Sequence, residues 1–481
     1  MSHAMPHSRT CWFAVLAVAA AALSGCAGVS LQQSLDRVNA EATDFTAGQL
    51  TLAQTAEEQA RRADASARLL NQPLGQQEAV QLGLLNSPAL QALLAQSWAD
   101  SATAAQSGRI ANPVFSLERL SAGSDLELNR ALSFGLLDVL SLPARQGIAQ
   151  RRIEQAQLRL TAEVVDHVTR VRQAWVRAVA SRQTWMYAQQ VYESAEASAE
   201  LARRMQSVGN YNRLTRAREQ AFYADSAARL AAAGHEATAN REELVRLLGL
   251  SESQALQLQL PDRLPELPQE ALSPSMVGQL ASRSRLDVRL AQSAFESAGR
   301  SQGLNRVTSF TDIELTARRN TSTTPSGGTA GTRTDQRGYE IGVRLPIFDW
   351  GGLQREAWNA RTIASANQLE ATIRSAGSSL RESYSAYRTA HDIARHFRDE
   401  VIPVRKVISE ENQLRYNGMI IGVFELLADA RDQVNTVLSA IRAEQQFWLA
   451  DAALQSSLIG RPIPTALSVS GGSNAGNDTG H

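Results

Sequence analysis

The 481-residue sequence predicts a mainly α-helical protein with a small β part, built from two copies of one unit: two short strands leading into a long helical hairpin. Three observations carry this. Four short segments alternate apolar and polar residues with period two. Each pair of segments is followed by a break and then by a long helical stretch. The landmarks of the two halves recur at a constant shift, Gly209 and Gly418 lying 209 positions apart.

At the N-terminus, Arg9 precedes an apolar run from Cys11 to Leu23, shorter than the ~20 residues of a spanning helix. Residues 1–25 are therefore expected to be a secretory signal peptide. Its end, Leu23-Ser24-Gly25-Cys26, resembles the lipobox of bacterial lipoproteins, and Ala27 follows. That resemblance implies that Cys26 is lipidated and carries the chain to an outer membrane; the alternative is an ordinary signal peptide with a chance cysteine. Loss of Cys11 with the signal leaves one cysteine, which excludes an internal disulfide and argues against a thiol enzyme or a cysteine metal site. No other apolar run is long enough for a spanning helix, so any membrane crossing must use β-strands.

Residues 26–75 are polar and Ala/Gln-rich, and a linker with some helix is expected. The first repeat covers 76–259, with a helix interrupted near Asn86-Ser87-Pro88 and strands over about 114–120 and 126–138. In the second strand Leu126, Leu128, Leu132, Phe134 and Leu136 share a face, with Arg130 as the exception. The hairpin spans 144–250: Val164, Val168, Val171, Trp175 and Ala178 form an apolar seam, Gly209-Asn210 marks the turn, and Ala217, Ala221, Ala224, Ala228 and Ala231 give the return helix a small-residue seam for close approach. A Pro-rich linker, 260–275, leads to the second repeat, 276–460. There the strands are expected at about 311–318 and 339–347, joined by a flexible polar loop from Asn320 to Gly338. The second hairpin spans 353–459, with Pro403 as a kink or break, a turn at Asn417-Gly418, and a heptad seam through Phe424, Leu427, Val434, Leu438, Ile441 and Trp448 interrupted by Arg431 and Gln445. Residues 461–481 have the composition of a disordered tail.

Alternating strands suit a soluble half-buried sheet or a barrel with a lipid face and a wet lumen. Four strands cannot close a barrel, and open edges are excluded from lipid, so a membrane role requires several chains: two give 8 strands and three give 12, enough for a lumen. Lys+Arg and Asp+Glu are both 48, so the formal net charge is zero, which argues against nucleic-acid binding.

Several motifs then fall in family order. Arg285-Leu286-Asp287, Leu345-Pro346-Ile347-Phe348 with Gly351-Gly352, and Tyr416-Asn417-Gly418 with Glu425-Leu426-Leu427 and Ala430 resemble the signatures of the TolC-like outer-membrane efflux proteins. The resemblance covers roughly residues 76–460. It implies a homotrimer with a 12-stranded β-barrel on a long α-helical barrel, a passive duct for small molecules or metal ions, and work alongside a periplasmic adaptor protein and an inner-membrane pump. It implies that Glu425 lines a pore constriction as an anionic ring, with Tyr416 helping to lock it. The family's second acid falls on Ala428, with Asp429 displaced by one, and the family's arginine partner for the tyrosine falls on Ile421. The tips Gly209, Asn210, Asn417 and Gly418 are the implied adaptor contacts. At the 209 shift, Arg216 stands where the second half has Glu425. The segment from Gly418 to Asp432 most resembles metal-efflux or copper-associated members of that family.

Chemistry is otherwise sparse. No nucleophile elbow, P-loop, His-Glu-x-x-His or dinucleotide fingerprint occurs, so no enzyme, cofactor or metal site is expected. His167, His235, His391 and His396 are scattered and read as helix-surface residues. The rival to a channel is a periplasmic coiled-coil lipoprotein scaffold, which would need no strands.

Overall fold

A computed structural model describes residues 30–463 apart from 124, 282–284, 309–311, 327–328 and 346. The signal peptide, Cys26, Pro346 and the tail beyond residue 463 lie outside the described residues. The chain divides into two units. Among the described residues, one contains 30–36, 95–157 and 293–366; the other contains 37–94, 158–292 and 367–463.

The first unit holds one antiparallel sheet in the order β1 (Val114–Ala122), β2 (Asp125–Gly135), β3 (Ile313–Ser326), β4 (Thr329–Val343). β2 and β3 join the two repeats, and β1 and β4 are the edges. The polar stretch expected as a loop from Asn320 to Gly338 is mostly strand instead: Asn320 pairs with Gln336, Thr321 with Asp335 and Thr323 with Arg333. Its threonines, read as loop-formers, are β-branched and suit a pleated surface. β2 stops at Gly135, earlier than expected, and Leu136–Leu140 forms a short helix.

The hairpins are helices α1 (Leu142–Ser207) and α2 (Arg213–Leu248) in the first repeat. In the second they are α3 (Gly352–His396), a π-helical turn (Phe397–Val401), α4 (Ile402–Asn417) and α5 (Val423–Leu458). Pro143 sits in the first turn of α1, where its missing N–H needs no partner. Pro403 does not break the second hairpin. It follows the π turn, where the Ile402 N–H donates to Phe397 O five residues back, and the helix continues through it.

The second unit holds the core. Val164, Val168, Val171, Trp175 and Ala178 of α1 are all buried, and Trp175 Nε1 donates to Leu74 O at 2.7 Å. The segment expected as a linker is packed: Val38, Phe45, Leu50 and Leu70 are buried, and Arg172 stacks over Phe45. The Pro-rich linker is likewise a strap, with Leu260, Leu264 and Leu267 buried and Trp448 Nε1 donating to Pro265 O. It covers His391, which is buried with Nε2 3.2 Å from Pro268 O; His167 is buried too, so neither lies on a helix surface as expected. Two further seams differ. Phe447, Ala443, Ala450 and Leu454 form the deepest face of α5, where they meet Tyr387 and Ala390, in place of the heptad positions Leu438 and Trp448. The alanine seam of α2 is exposed along its length within the chain.

Each repeat closes on a left-handed glycine packed against a kinked segment. Gly249 (φ 68°) meets Asn86-Ser87-Pro88, with Asn86 Nδ2 donating to Gly249 O at 2.8 Å. Gly460 (φ 86°) meets Arg285-Leu286-Asp287, with the Leu286 N–H donating to Ile459 O at 2.9 Å. The helix break seen at Asn86-Ser87-Pro88 is thus the first-half counterpart of the Arg-x-Asp motif.

Candidate functional site

The tips show how the two halves correspond. In the first, the Gly209 N–H donates to Gln206 O and the Asn210 N–H to Met205 O; in the second, the Met419 N–H donates to Tyr416 O and the Ile420 N–H to Arg415 O. The left-handed residue is Gly209 (φ 83°) in one and Met419 (φ 57°) in the other. Gly418 sits at φ −80°, an ordinary conformation. Helix starts Leu142 and Gly352, the left-handed tip residues, and the N-caps Asn212 and Gly422 are each 210 positions apart. The shift of 209 is therefore corrected by one: it matched two glycines that play different parts. The counterpart of Glu425 is Thr215, not Arg216. Thr215 is buried and donates from both its N–H (2.8 Å) and its hydroxyl (2.9 Å) to the N-cap oxygen, Asn212 Oδ1.

Glu425 lies exposed in the first turn of α5, its N–H donating to Gly422 O. A carboxylate there faces unpaired N–H groups at the positive end of the helix dipole, a favourable place for an anion. Tyr416 is partly exposed. Burial, then the influence of Tyr416 and Glu219, holds the Tyr211 hydroxyl above its ordinary pKa.

The corrected shift exposes a feature that the sequence pattern concealed. Glu219 and Asp429 are counterparts, both buried, and each has one carboxylate oxygen (Oε2 and Oδ2) without a hydrogen-bond partner among the described residues. Arg431 of α5 reaches across to α2, donating from Nη2 to Glu219 Oε1 at 3.1 Å, with its guanidinium carbon 4.4 Å from the centroid of Phe222. Asp429 is thus buried beside helices rather than displayed beside Glu425. The arginine that interrupts the heptad seam is a link between the two hairpins, beside the Arg229–Asn435 hydrogen bond at 3.3 Å.

The sheet sorts its charges by face. Register places Phe115, Leu132, Ala317 and Tyr339 in one row on one face, with Phe134, Leu315 and Ile341 in the next row toward the helices. Charged side chains on this face are Arg119, Arg130, Arg319, Arg333, Arg337 and a single acid, Asp335. The opposite face carries Glu118, Asp125, Glu127, Glu314 and Glu340 with a single base, Arg318, which pairs with Glu340. A cavity of about 510 Å³ opens mainly on this polar face, the concave one, lined by Glu118, Asn129, Arg318 and Gln336 and also by Arg130, Arg319 and Arg337 at the alternate positions between them. The sheet is therefore apolar and arginine-bearing on its convex side, and acidic on its concave side.

Residues 277–458 match the family model described as outer membrane efflux protein. That segment, the second repeat, is similar to the outer membrane efflux protein family. Among solved structures, a membrane protein from Pseudomonas aeruginosa is 20% identical with a TM-score of 0.66, covering 82% of this chain and 93% of that one. The CmeC outer membrane channel of Campylobacter jejuni is 14% identical with a TM-score of 0.65, covering 82% and 85%. The open state of the MtrE outer membrane channel of Neisseria gonorrhoeae is 19% identical with a TM-score of 0.63, covering 81% and 90%. No curated protein sequence matches the chain.

The chain has the mainly helical fold with four antiparallel strands that the sequence predicts. No described helix is long and apolar enough to cross a membrane, and no group of acids, histidines or cysteines among the described residues could hold a metal ion. Gly209, Asn210, Asn417 and Gly418 all fall at helix tips. The Glu219–Arg431 pair and the sorting of charge by face were missed. The first was findable from the 210 shift, which superposes the two acids; the second from following strand alternation beyond Arg318.

Proposed function

We propose that the chain is one subunit of a trimeric outer-membrane exit duct, with three copies supplying twelve strands to one barrel. The observation that carries this is the open sheet: β1 and β4 leave unpaired backbone groups at both edges, beside a convex apolar face. In lipid each unpaired group costs several kcal/mol, so copies must join edge to edge. The alanine seam of α2 supports the same association, since it is small and all five alanines are exposed among the described residues. A scaffold without a pore would have no use for a curved sheet with sorted charge.

The duct is passive and takes cargo from a periplasmic adaptor protein and an inner-membrane pump, with the tips at Gly209, Asn210, Asn417 and Gly418 as adaptor contacts. Concave acids favour cations in the lumen. Glu425 adds an anionic ring at the mouth, and Cys26 carries the lipid anchor. The test is conductance in planar bilayers together with the mass of the detergent-extracted complex. Discrete conductance from a three-chain species is expected; a monomer without conductance refutes the duct. Glu425→Ala should lower cation over anion permeability, and unchanged selectivity removes Glu425 from the mouth. An unacylated N-terminal peptide in the mature protein would remove the Cys26 anchor.

A further inference from the structure

We propose that the convex face of the sheet carries a belt that binds phosphate-bearing lipid headgroups, made by Arg130, Arg319 and Arg337 with Arg119 and Arg333 beside them. This rests on the barrel reading above.

The register is the starting point. Arg130 pairs with Arg319 and Arg319 with Arg337, so three arginines stand in one row across β2, β3 and β4. Directly opposed residues on neighbouring strands have Cβ atoms about 4.5–5.5 Å apart, and like charges so placed repel. The row therefore needs counter-charge. The face supplies one carboxylate. Asp335 accepts from Arg319 Nη2 at 3.0 Å and from Thr321 Oγ1 at 2.6 Å, and its Oδ1 lies 3.9 Å from Arg333 Nε. Arg119, Arg130 and Arg337 have no ion-pair partner among the described residues. Five cations against one acid leave this face strongly positive.

Position decides the occupant. On the helix side of the belt lie the apolar rows, continued past β4 by the exposed Leu345 and Ile347. From Arg337 to Val343, where β4 ends, is six residues, about 20 Å along the strand or about 15 Å of height after the usual barrel tilt, and Leu345 and Ile347 extend the apolar side beyond it. With that extension the span approaches the apolar band of about 25 Å in membrane barrels. The belt thus stands where the hydrocarbon ends, on the side of the strand turns and away from the helices. A headgroup phosphate tethered to acyl chains meets arginines and apolar rows together, whereas a soluble anion meets only the arginines. Arginine suits the task, because its planar fork pairs two N–H groups with two phosphate oxygens and its stem lies along apolar surface.

The test uses the full-length protein reconstituted in phosphatidylcholine vesicles containing a minority of phosphatidylglycerol, with spin-labelled lipids reporting which headgroup contacts the protein. Each arginine near an anionic lipid contributes about a fivefold preference. The wild type is expected to prefer phosphatidylglycerol over phosphatidylcholine by about tenfold or more at low salt. Joint Arg130→Gln, Arg319→Gln and Arg337→Gln substitution should bring the ratio close to one while conductance persists. If the triple variant fails to assemble, Arg337→Gln on the edge strand should lower the preference by about fivefold. Arg318→Gln, on the concave face, should leave it intact. No preference in conducting wild type, or loss of preference with Arg318→Gln, overturns the belt alone. Displacement of the lipid by inorganic phosphate, at an ionic strength where chloride has no effect, assigns the site to a soluble anion and overturns it too. No conductance from the wild type overturns the barrel reading and the belt with it.

Discussion

Replacing Arg431 with Met tests whether one side chain ties the two hairpins together. The substitution keeps the apolar stem and removes the charge. Glu219 is nearly fully buried, so it would be left with an uncompensated carboxylate, whereas Arg431 retains about a third of its exposure (34%). Breaking a fully buried pair costs about 3–5 kcal/mol, and the partial exposure of Arg431 lowers that to about 2–3 kcal/mol. Loss of the stack on Phe222 adds about 0.5–1 kcal/mol. The expected destabilisation is about 3 kcal/mol. The assay is the denaturant midpoint of the helical signal in detergent, in a double-mutant cycle with Glu219→Gln. Because the neutral amide of that variant needs no counter-charge, Arg431→Met should cost far less in its background, giving a coupling of about 2 kcal/mol. A coupling below about 0.5 kcal/mol would refute the link, leaving the 3.1 Å contact without energetic weight.

Met419→Gly should stabilise the second tip by about 1 kcal/mol, since a left-handed conformation strains any side chain and this one is almost wholly exposed, with no packing to lose; thermal melting of the two proteins checks it. Gly460→Ala should destabilise by about 2 kcal/mol or more, because φ is 86° and a new Cβ would stand 2.8 Å from the Leu286 nitrogen. Denaturant midpoints compare it with Gly299→Ala, where a Cβ meets nothing within 4 Å. His167 gives a pH dependence: burial, then Arg170, lowers its pKa from 6.5 to about 4. A depressed histidine contributes stability that is present above pH 6.5 and lost as pH falls toward 4, because the unfolded state takes the proton first; the loss is on the order of 3 kcal/mol. Stability curves of wild type and His167→Gln between these limits should converge at the acid end, and parallel curves would contradict this.

The sequence made the helices and the repeat legible because both rest on local signals: apolar spacing on α1, proline in a first turn, glycine at a tip. It misjudges the repeat by one residue because the two tip glycines that it aligns play different parts. In the second tip Met419 occupies the left-handed position and Gly418 precedes it, a distinction only the hydrogen bonds reveal. The long β3–β4 hairpin was hidden by composition, since Thr, Ser and Gly read as loop where strand pairing overrides them. His391 and the strap over it escaped for a different reason: burial by a segment more than a hundred residues away leaves no trace in the helix that receives it. At the site, turn chemistry gave the tips, but the pairing of Glu219 with Arg431 joins residues 212 positions apart.

The π turn at Phe397–Val401 alters how the second hairpin must be interpreted by mutagenesis. Each extra residue in a turn rotates everything beyond it by about 100° around the helix axis. A substitution scan from Ser383 toward Asn417 should therefore show two phases of sensitivity, slipping by one residue across Phe397–Val401. The same scan along α1, which is α-helical from Leu142 to Ser207, should keep one phase. Two hairpins of matching length thus present different angular faces to their surroundings below the π turn, and substitutions transferred between them by sequence shift alone would land on the wrong side of the helix.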